Sequence, residues 1–452
     1  MAGRLTSTGT YRFLLVVLTL SLVGTILAAT GLWNPVPQIE AWWYQLTKLS
    51  EPEPAWNVRL DSRPTAGAVY SNAVVAADGE KVSGYRRTDG ALMWTYPAYW
   101  AIPAGDSIII RSKPTNRNER VNRGYTVIDP ATGGARWSDQ ESIAVWGYSD
   151  QVVELTCPEN ADCVLRGREL FGKGDQLWRA TLPAAAARRL EGASPGAVGL
   201  VDPAEWFSVA AAGVPKPLPP VFALRMGDTI QILDVRRSNP VVREVVSVDP
   251  QVRVTFAGQR ILFSKSDRTP SGCSYSIEGR TFDTDQRRWA ASELDLGTGS
   301  GTTCAQRGDA IGAGGRILAL AADDSPVVIN ATDGAQPWVG VPGEQILATD
   351  GEIAVVLGAD RKTVRVIDLG NPGGRPSFTG TFGLEPKAAV TDRHVVIQDT
   401  DLSELVVLGH FAGADGTLPV LKRIKTRATV MAIGAYGVLI NNGRRVGYIP
   451  LF

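Results

Sequence analysis

Residues 87–94 read Arg-Thr-Asp-Gly-Ala-Leu-Met-Trp, and this stretch decides the fold. An Asp precedes a Gly in a turn signal, and a Trp follows within the next four residues. The pattern returns, with losses, along most of the chain. Its members are Asp89, Gly90 and Trp94; Asp129, Thr132, Gly133 and Trp137; Trp178; Trp289; and Asp333, Gly334 and Trp338.

The spacing of these tryptophans indicates a repeat protein. Successive copies are roughly 40–50 residues apart, with one interval of about twice that length between Trp178 and Trp289, and this period is typical of a β-propeller. Short runs of Val, Ile, Leu, Tyr and Phe between Gly, Asp, Asn and Pro indicate strands and turns. The sequence therefore predicts an all-β propeller of four-stranded blades. Eight blades are predicted, with seven and nine as alternatives because the units at 208–248 and 260–289 are irregular.

The two ends of the predicted propeller fit together. Residues 437–450 predict a hairpin around Asn442-Gly443, a strong turn dipeptide. Residues 56–60 resemble the outer strand that this half blade lacks. Pairing the two would close the ring and remove an exposed edge.

Composition excludes some function classes. The chain has 452 residues with 46 basic and 46 acidic side chains, so it lacks the concentrated basic surface that nucleic-acid binding requires. Only two histidines occur, His394 and His410, and the cysteine spacing of a zinc site is absent. We expect both histidines to face solvent or occupy turns, and no metal ligands are predicted. The acidic pairs at 323–324 and 399–401 are interpreted as turns.

The N-terminal region predicts a membrane anchor. Residues 13–29 carry no charge and the apolar character continues to Trp33, giving roughly 17–21 residues, enough to cross a bilayer core. Arg4 and Arg12 precede this run and favour a cytoplasmic N-terminus. We assign 1–12 to the cytoplasm, 13–33 to a transmembrane helix, 34–54 to a juxtamembrane linker or surface helix, and 55–452 to an extracytoplasmic propeller. A cleaved signal peptide is the alternative.

All four cysteines follow the apolar run. An even, small number of cysteines in an exported chain predicts disulfides. We expect Cys157 to pair with Cys163 and Cys273 with Cys304. Stabilisation of loops is their expected role, and redox activity of the first pair is the alternative.

The pattern Asp129-x-x-Thr132-Gly133-x-x-x-Trp137 resembles the repeat of the quinoprotein-type, PQQ-like β-propellers. Within that family, the chain looks like a membrane-anchored, actinobacterial-type member. In that repeat we expect Asp and Thr to bond within the turn, Gly to supply positive φ, and Trp to pack between blades. The resemblance implies one of two functions. The family's dehydrogenases bind PQQ with adjacent cysteines and calcium beside a catalytic Asp, whereas its cofactor-free members are extracytoplasmic scaffolds.

This chain has no adjacent cysteines. We therefore predict no catalytic, cofactor-binding or metal-binding residues and no bound PQQ, and leave calcium open. The predicted function is a non-catalytic scaffold that binds an envelope protein, peptide or other ligand outside the cell membrane. A quinone-dependent dehydrogenase, or another enzyme sited in the channel, is the alternative.

Overall fold

The computed structural model describes residues 49–452 apart from 113–122, 159–160, 184–188, 192–197, 200–216, 227–228, 237–239, 247–251, 271, 297–311, 314, 372–375, 384–385, 400–403 and 414. Residues 49–452 form one compact unit. Every regular element in the described ranges is a β-strand. None of these residues forms a helix that could cross a membrane. The predicted cytoplasmic segment, transmembrane helix and most of the linker lie outside the described residues.

The strands form nine antiparallel sheets, which are the blades of a propeller. Within each blade the strands are called A to D in the order of hydrogen bonding, and blades are numbered along the chain. The first strand, β1 (Trp56–Arg59), is strand D of the last blade. Blade one is β2 (Ala66–Val69), β3 (Ala73–Ala77), β4 (Val82–Arg86) and β5 (Leu92–Tyr96). Blade two is β6 (Ala98–Ala104), β7 (Ser107–Ser112), β8 (Tyr125–Ile128) and β9 (Ala135–Asp139). Blade three is β10 (Ala144–Gly147), β11 (Gln151–Thr156), β12 (Cys163–Glu169) and β13 (Gln176–Leu182).

The middle blades contain short additional strands. Blade four is β14 (Arg189–Glu191), then, after the inserted β15 (Val198–Gly199), β16 (Val221–Met226), β17 (Thr229–Asp234) and β18 (Val241–Val246). Blade five is β19 (Val252–Ala257), β20 (Arg260–Thr269), β21 (Gly272–Thr281) and β22 (Arg287–Ser292). Blade six is β23 (Leu294–Asp295), β25 (Arg316–Ala321), β26 (Pro326–Asn330) and β27 (Trp338–Val339), with β24 (Gly312–Ala313) also paired to β25.

The last three blades are regular. Blade seven is β28 (Gln345–Thr349), β29 (Ile353–Leu357), β30 (Thr363–Asp368) and β31 (Phe378–Thr381), and β15 pairs with the free edge of β28. Blade eight is β32 (Lys387–Val390), β33 (His394–Asp399), β34 (Glu404–Gly409) and β35 (Val420–Lys425). Blade nine is β36 (Thr429–Gly434), β37 (Gly437–Asn442), β38 (Arg445–Pro450) and β1.

Nine buried apolar clusters show that the blades form a closed ring. Each cluster is shared by two consecutive blades, as expected when both faces of a sheet rich in Val, Ile and Leu are covered by neighbouring sheets. Val396 of blade eight packs with Ile433 of blade nine. Tyr448 of blade nine packs with Val74 of blade one, which completes the circle.

The count of nine corrects the prediction of eight and matches one of its alternatives. The C-terminal residues supply three strands rather than a two-stranded half blade, because β36 precedes the predicted hairpin of β37 and β38. The predicted outer strand is confirmed: β1 pairs with β38, with Trp56 opposite Tyr448 and Arg59 opposite Arg445. The termini thus build a complete extra blade beside the eight internal units.

A second correction concerns residues 184–191, where the alanine-rich sequence by itself predicts one or two helical turns at the rim of the propeller. Arg189–Glu191 is instead strand β14, whose backbone pairs with β16. The reason is tertiary: β14 supplies strand A of blade four, and pairing to a sheet edge overrides a weak local helix preference. Residues 184–188 lie outside the described residues.

The turns divide between two faces of the ring. In a four-stranded antiparallel sheet, the A–B and C–D turns lie at one end and the B–C turn at the other. Each Asp-Gly motif connects strands C and D. We call the face with the A–B and C–D turns the motif face, and the other the opposite face.

Candidate functional site

The repeat residues build the C–D turns of the motif face. Gly90, Gly133 and Gly334 have φ values of 71°, 72° and 77°, a region that is costly for side chains other than glycine. The preceding carboxylates accept backbone N–H groups: Asp89 from Ala91 at 3.0 Å, Asp129 from Ala131 at 2.8 Å and Asp333 from Ala335 at 3.0 Å. Thr132 Oγ1 accepts the Gly134 N–H at 3.1 Å.

The motif tryptophans lie on strand D and join each blade to the next. Trp94 Nε1 donates to the Pro130 carbonyl of the following turn at 2.9 Å. A Cβ added to Gly133 would lie only 2.4 Å from the Trp94 ring, so that glycine also makes room for the indole. Trp289 repeats this arrangement, with its Nε1 donating to Ala331 at 3.0 Å and its ring against Gly334.

The other motif tryptophans keep parts of the arrangement. Trp137 packs against Gly174 of blade three. Trp178 donates to Gln151 within its own blade at 2.8 Å, since blade four has no motif turn to receive it. Trp338 is buried between blades six and seven.

Trp56 is a motif residue that sequence reasoning did not identify as one. Its ring packs against Gly90, and its Nε1 donates to the Arg87 carbonyl at 2.7 Å. The other motif tryptophans lie on strand D, and residues 56–60 were predicted to be the last strand D of the ring. A Trp in that strand is the signal that could have identified Trp56. Its own C–D turn does not exist, because strand D of blade nine comes from the other end of the chain.

Exposed apolar side chains concentrate at the motif face. Among the described residues, none of the exposed large apolar side chains lies in a B–C turn. Seven of the nine lie in motif-face turns, at the start of strand D or after the last strand: Leu92, Phe171, Leu177, Phe411, Val420, Tyr436 and Phe452. The other two, Val339 and Val341, lie at the end of strand D of blade six and in the connection to blade seven, towards the opposite face. Phe411 and Phe452 are the most exposed, at 72% and 84%.

The B–C turns of the opposite face are polar and charged. Their exposed residues include Glu80, Asp323, Asp324, Asp360, Arg361, Lys362 and Arg444. Asp323 accepts the Ser325 N–H at 3.0 Å, the turn interaction expected of this acidic pair. Asp399 of the other acidic pair is buried in β33, and residues 400–403 lie outside the described residues. The basic residues Lys113, Arg117 and Arg120, which the sequence predicts to lie at a solvated hairpin tip, are also outside the described residues.

Both histidines are buried and lie at turns, so of the two expected settings, solvent or a turn, the turn is the one observed. His394 and His410 are 4% and 6% exposed. His394 begins β33, in the A–B turn of blade eight, and His410 directly follows β34. Burial, together with the positive charges of Arg393 and His410, lowers the pKa of His394 to about 4. Packing between blades, which one sequence does not display, explains their burial.

His410 meets two carboxylates of the neighbouring blade. His410 Nε2 lies 2.6 Å from Asp350 Oδ2, which links the C–D turn of blade eight to the A–B turn of blade seven. The ligand atoms of Asp350, Glu352 and His410 all lie within 4.8 Å of one another. Burial alone would raise the pKa of Asp350, yet hydrogen bonds from His410, Ile353 and Glu352 hold it below its ordinary value. We call these three residues the inter-blade cluster.

The cysteines were predicted to form disulfides. Cys157 and Cys163 are bonded across the B–C turn of blade three, as predicted. Cys273 is also disulfide-bonded, and its predicted partner Cys304 lies outside the described residues. The glycine-rich run at 297–301, which the sequence predicts to be a connection between strands, lies outside the described residues as well.

Comparisons with known proteins add structural likenesses. No protein-family model matches the chain, and no curated protein matches it. The chain is similar to BamB from Moraxella catarrhalis, with 16% identity and a TM-score of 0.39 over 79% of this chain and 99% of that protein. It is similar to a eukaryotic initiation factor, with 10% identity and a TM-score of 0.46 over 83% and 93% of the two chains.

A third likeness is to the quinohemoprotein alcohol dehydrogenase ADHIIG from Pseudomonas putida HK5, with 10% identity and a TM-score of 0.34 over 86% and 79%. Likenesses at these identities and TM-scores assign no function. The propeller fold itself follows from the nine sheets and the closed series of apolar clusters.

Proposed function

We propose that this protein is a non-catalytic scaffold of the cell envelope that binds another protein through its motif face. The observation that carries the proposal is the uneven distribution of exposed apolar side chains between the two faces. Large exposed aromatic residues are characteristic of protein-binding surfaces, where their burial supplies much of the binding energy.

The positions of these aromatic side chains favour contact with a partner protein over packing against other residues of the same chain. Phe411 lies in the C–D turn of blade eight and Phe452 follows β38 of blade nine, so both are close to strands that are paired in a sheet. Tyr436 lies in the A–B turn of blade nine, and its carbonyl accepts the Leu451 N–H at 3.1 Å, which brings the C-terminal Phe452 beside it. A partner with apolar side chains would cover this surface.

The proposal includes an extracytoplasmic location, with residues 13–33 as a single-pass anchor and the N-terminus in the cytoplasm. Disulfides at Cys157–Cys163 and at Cys273 support an oxidising compartment. The proposal also assigns the chain to the PQQ-like propeller family, as an actinobacterial-type member that binds no quinone, and the repeat pattern supports the family assignment. Lack of adjacent cysteines in the sequence supports the scaffold over the dehydrogenase.

The test is a crosslinking and affinity purification of the full-length protein from its native envelope, comparing three proteins. These are the wild type, the double variant Phe411→Ser with Phe452→Ser, and the control Arg361→Ser on the opposite face. Losing two buried aromatic contacts removes about 2–4 kcal/mol of binding energy. We expect one recurrent partner to be recovered with wild type and control, and its yield to fall at least about tenfold with the double variant.

Two results would overturn the proposal. Equal recovery of the partner with the double variant would show that the motif-face aromatics do not bind it. A quinone that co-purifies with the protein would favour the dehydrogenase. Thermal unfolding of all three proteins serves as the folding control, because the substituted side chains are exposed.

A further inference from the structure

The inter-blade cluster has the composition of a metal site. It contains one imidazole and two carboxylates, and their ligand atoms lie within 4.8 Å of one another. Asp350 and His410 are buried whereas Glu352 is exposed. The cluster is therefore accessible to solvent from the Glu352 side, at the motif face. A cation could enter from that side without displacing a strand.

The local charge favours a cation. Two carboxylates share a single histidine here, and no Lys or Arg in the described ranges forms an ion pair with either of them. Like charges at this separation repel, and a bound cation relieves that repulsion. By contrast, the buried carboxylate of Glu154 forms ion pairs with two arginines, Arg166 and Arg168.

The donors are held in place by their own turns. Asp350 Oδ1 accepts the N–H groups of Glu352 and Ile353 at 2.9 and 3.0 Å, which directs Oδ2 to His410. The His410 N–H donates to the Arg393 carbonyl at 2.8 Å, which fixes the backbone at the end of β34. Hydrogen bonds to a ligating carboxylate, such as those that Asp350 accepts, orient the ligand and raise metal affinity.

We propose that Asp350, Glu352 and His410 bind a divalent transition-metal ion of the Zn²⁺ class. Imidazole and carboxylate donors suit Zn²⁺, and three protein ligands leave a position for water. Ca²⁺ and Mg²⁺ fit less well, because they take oxygen ligands and a larger number of them. Binding replaces the hydrogen bond between His410 Nε2 and Asp350 Oδ2 with two bonds to the ion. The proton of that bond leaves to solvent, and Nδ1 carries the one proton of the bound, neutral imidazole. This site borders the proposed partner surface, because the ring of Phe411 packs edge-on against the His410 imidazole with the centroids 5.0 Å apart.

The test titrates the purified, metal-stripped full-length protein with Zn²⁺ by calorimetry and with Co²⁺ by visible absorption. We expect one ion per chain and the absorption bands of Co²⁺ bound to nitrogen and oxygen. Glu352→Gln is the main variant, because the side chain is exposed and close in shape, so folding is preserved. It should lower the affinity at least about tenfold.

His410→Ala should abolish binding of both ions. His394→Ala is the matched control, since it removes the other histidine of the chain and leaves all three proposed ligands, so its affinity should equal that of the wild type. Absence of Zn²⁺ binding at micromolar concentrations would overturn the proposal, as would affinity that is unchanged in Glu352→Gln. In either case the His410–Asp350 contact is only a link between blades.

Discussion

At the scale of single residues, His394 couples the stability of blade eight to pH. Its pKa of about 4 is below the ordinary value of 6.5, so the folded state binds fewer protons than the unfolded state as the solution becomes acidic. Its contribution to stability is therefore complete above pH 6.5 and is lost as the pH falls through 4. Between about pH 7.5 and about pH 4.5 the expected loss is about 2 kcal/mol.

This expectation is checked by denaturant unfolding of chelator-treated wild type and His394→Leu at both pH values. Other titrating groups, Asp350 among them, are present in both proteins and cancel in the comparison. The wild type should lose more stability on acidification than the variant. Equal losses would show that His394 is not held neutral by burial.

The residue scale also shows what one sequence can predict. The conformations of Gly90 and Gly133 follow from local turn chemistry, so the pattern around them identifies the turns. The indoles of Trp94 and Trp289 donate to the turn of the next repeat, and the repeat spacing was enough to expect that contact. His410 and Asp350 are 60 positions apart in two different blades and share no repeated pattern. Their meeting depends on the register of the ring, which no local signal encodes.

At the scale of strands, a buried ion network joins blades two and three. Glu154 of β11 is completely buried and accepts hydrogen bonds from Arg168 Nε at 2.7 Å and Tyr125 Oη at 2.6 Å. Arg166 Nη1 approaches it at 3.3 Å. Burial raises the pKa of Tyr125, and the charge of Glu154 raises it further, so the phenol stays a donor.

Removing this charge should be costly, because two arginines would lose their partner. We expect Glu154→Gln to lower the free energy of unfolding by about 3 kcal/mol. The matched control is Glu404→Gln, which breaks the exposed ion pair with Arg423 on blade eight at 3.1 Å and should cost less than about 1 kcal/mol. Urea unfolding of the wild type and the two variants measures these free energies. Similar decreases in the free energy of unfolding for the two variants would contradict the role of burial.

Strands B, C and D were the easier ones to predict. They carry Val, Ile, Leu and the motif Trp between clear turns. Strand A is short and made of small residues in blade one (Ala66–Val69) and blade eight (Lys387–Val390), so it has little propensity signal. Its position follows from pairing with strand B of the same blade. That dependence on tertiary pairing explains why β14 was mistaken for a helical turn.

At the scale of the whole molecule, the ring is closed by one strand that has no covalent continuation into its own blade. The repeat period was sufficient to predict a propeller, but the number of blades depended on how the ends combine. Blade nine takes β36, β37 and β38 from the C-terminus and β1 from residues 56–59. A count of internal repeats therefore falls one short of the number of blades.

Because β1 is not continuous in the chain with the other strands of its blade, we expect the loss of Trp56 to disrupt the ring more than the loss of the other motif tryptophans. The ring of Trp56 stacks on Tyr448 with centroids 5.7 Å apart, and its Nε1 contacts the turn of blade one. Trp94 makes the same inter-blade contact, but its strand is tethered at both ends within the ring. Truncating either buried indole should cost about 3–5 kcal/mol. Only Trp56→Ala should also release β1 and expose the edge of β38.

Limited proteolysis with mass spectrometry separates these effects. Under conditions where the wild type is intact, Trp56→Ala should be cleaved first between residues 49 and 65, whereas Trp94→Ala should show no early site there. The exposed β38 edge should also make the Trp56 variant aggregate at lower temperature, because an unpaired strand is a template for pairing. Early cleavage at 49–65 in both variants, or in neither, would contradict a specific role of Trp56 in keeping β1 paired to β38. The backbone pairing of β1 would then be sufficient to hold the strand in place.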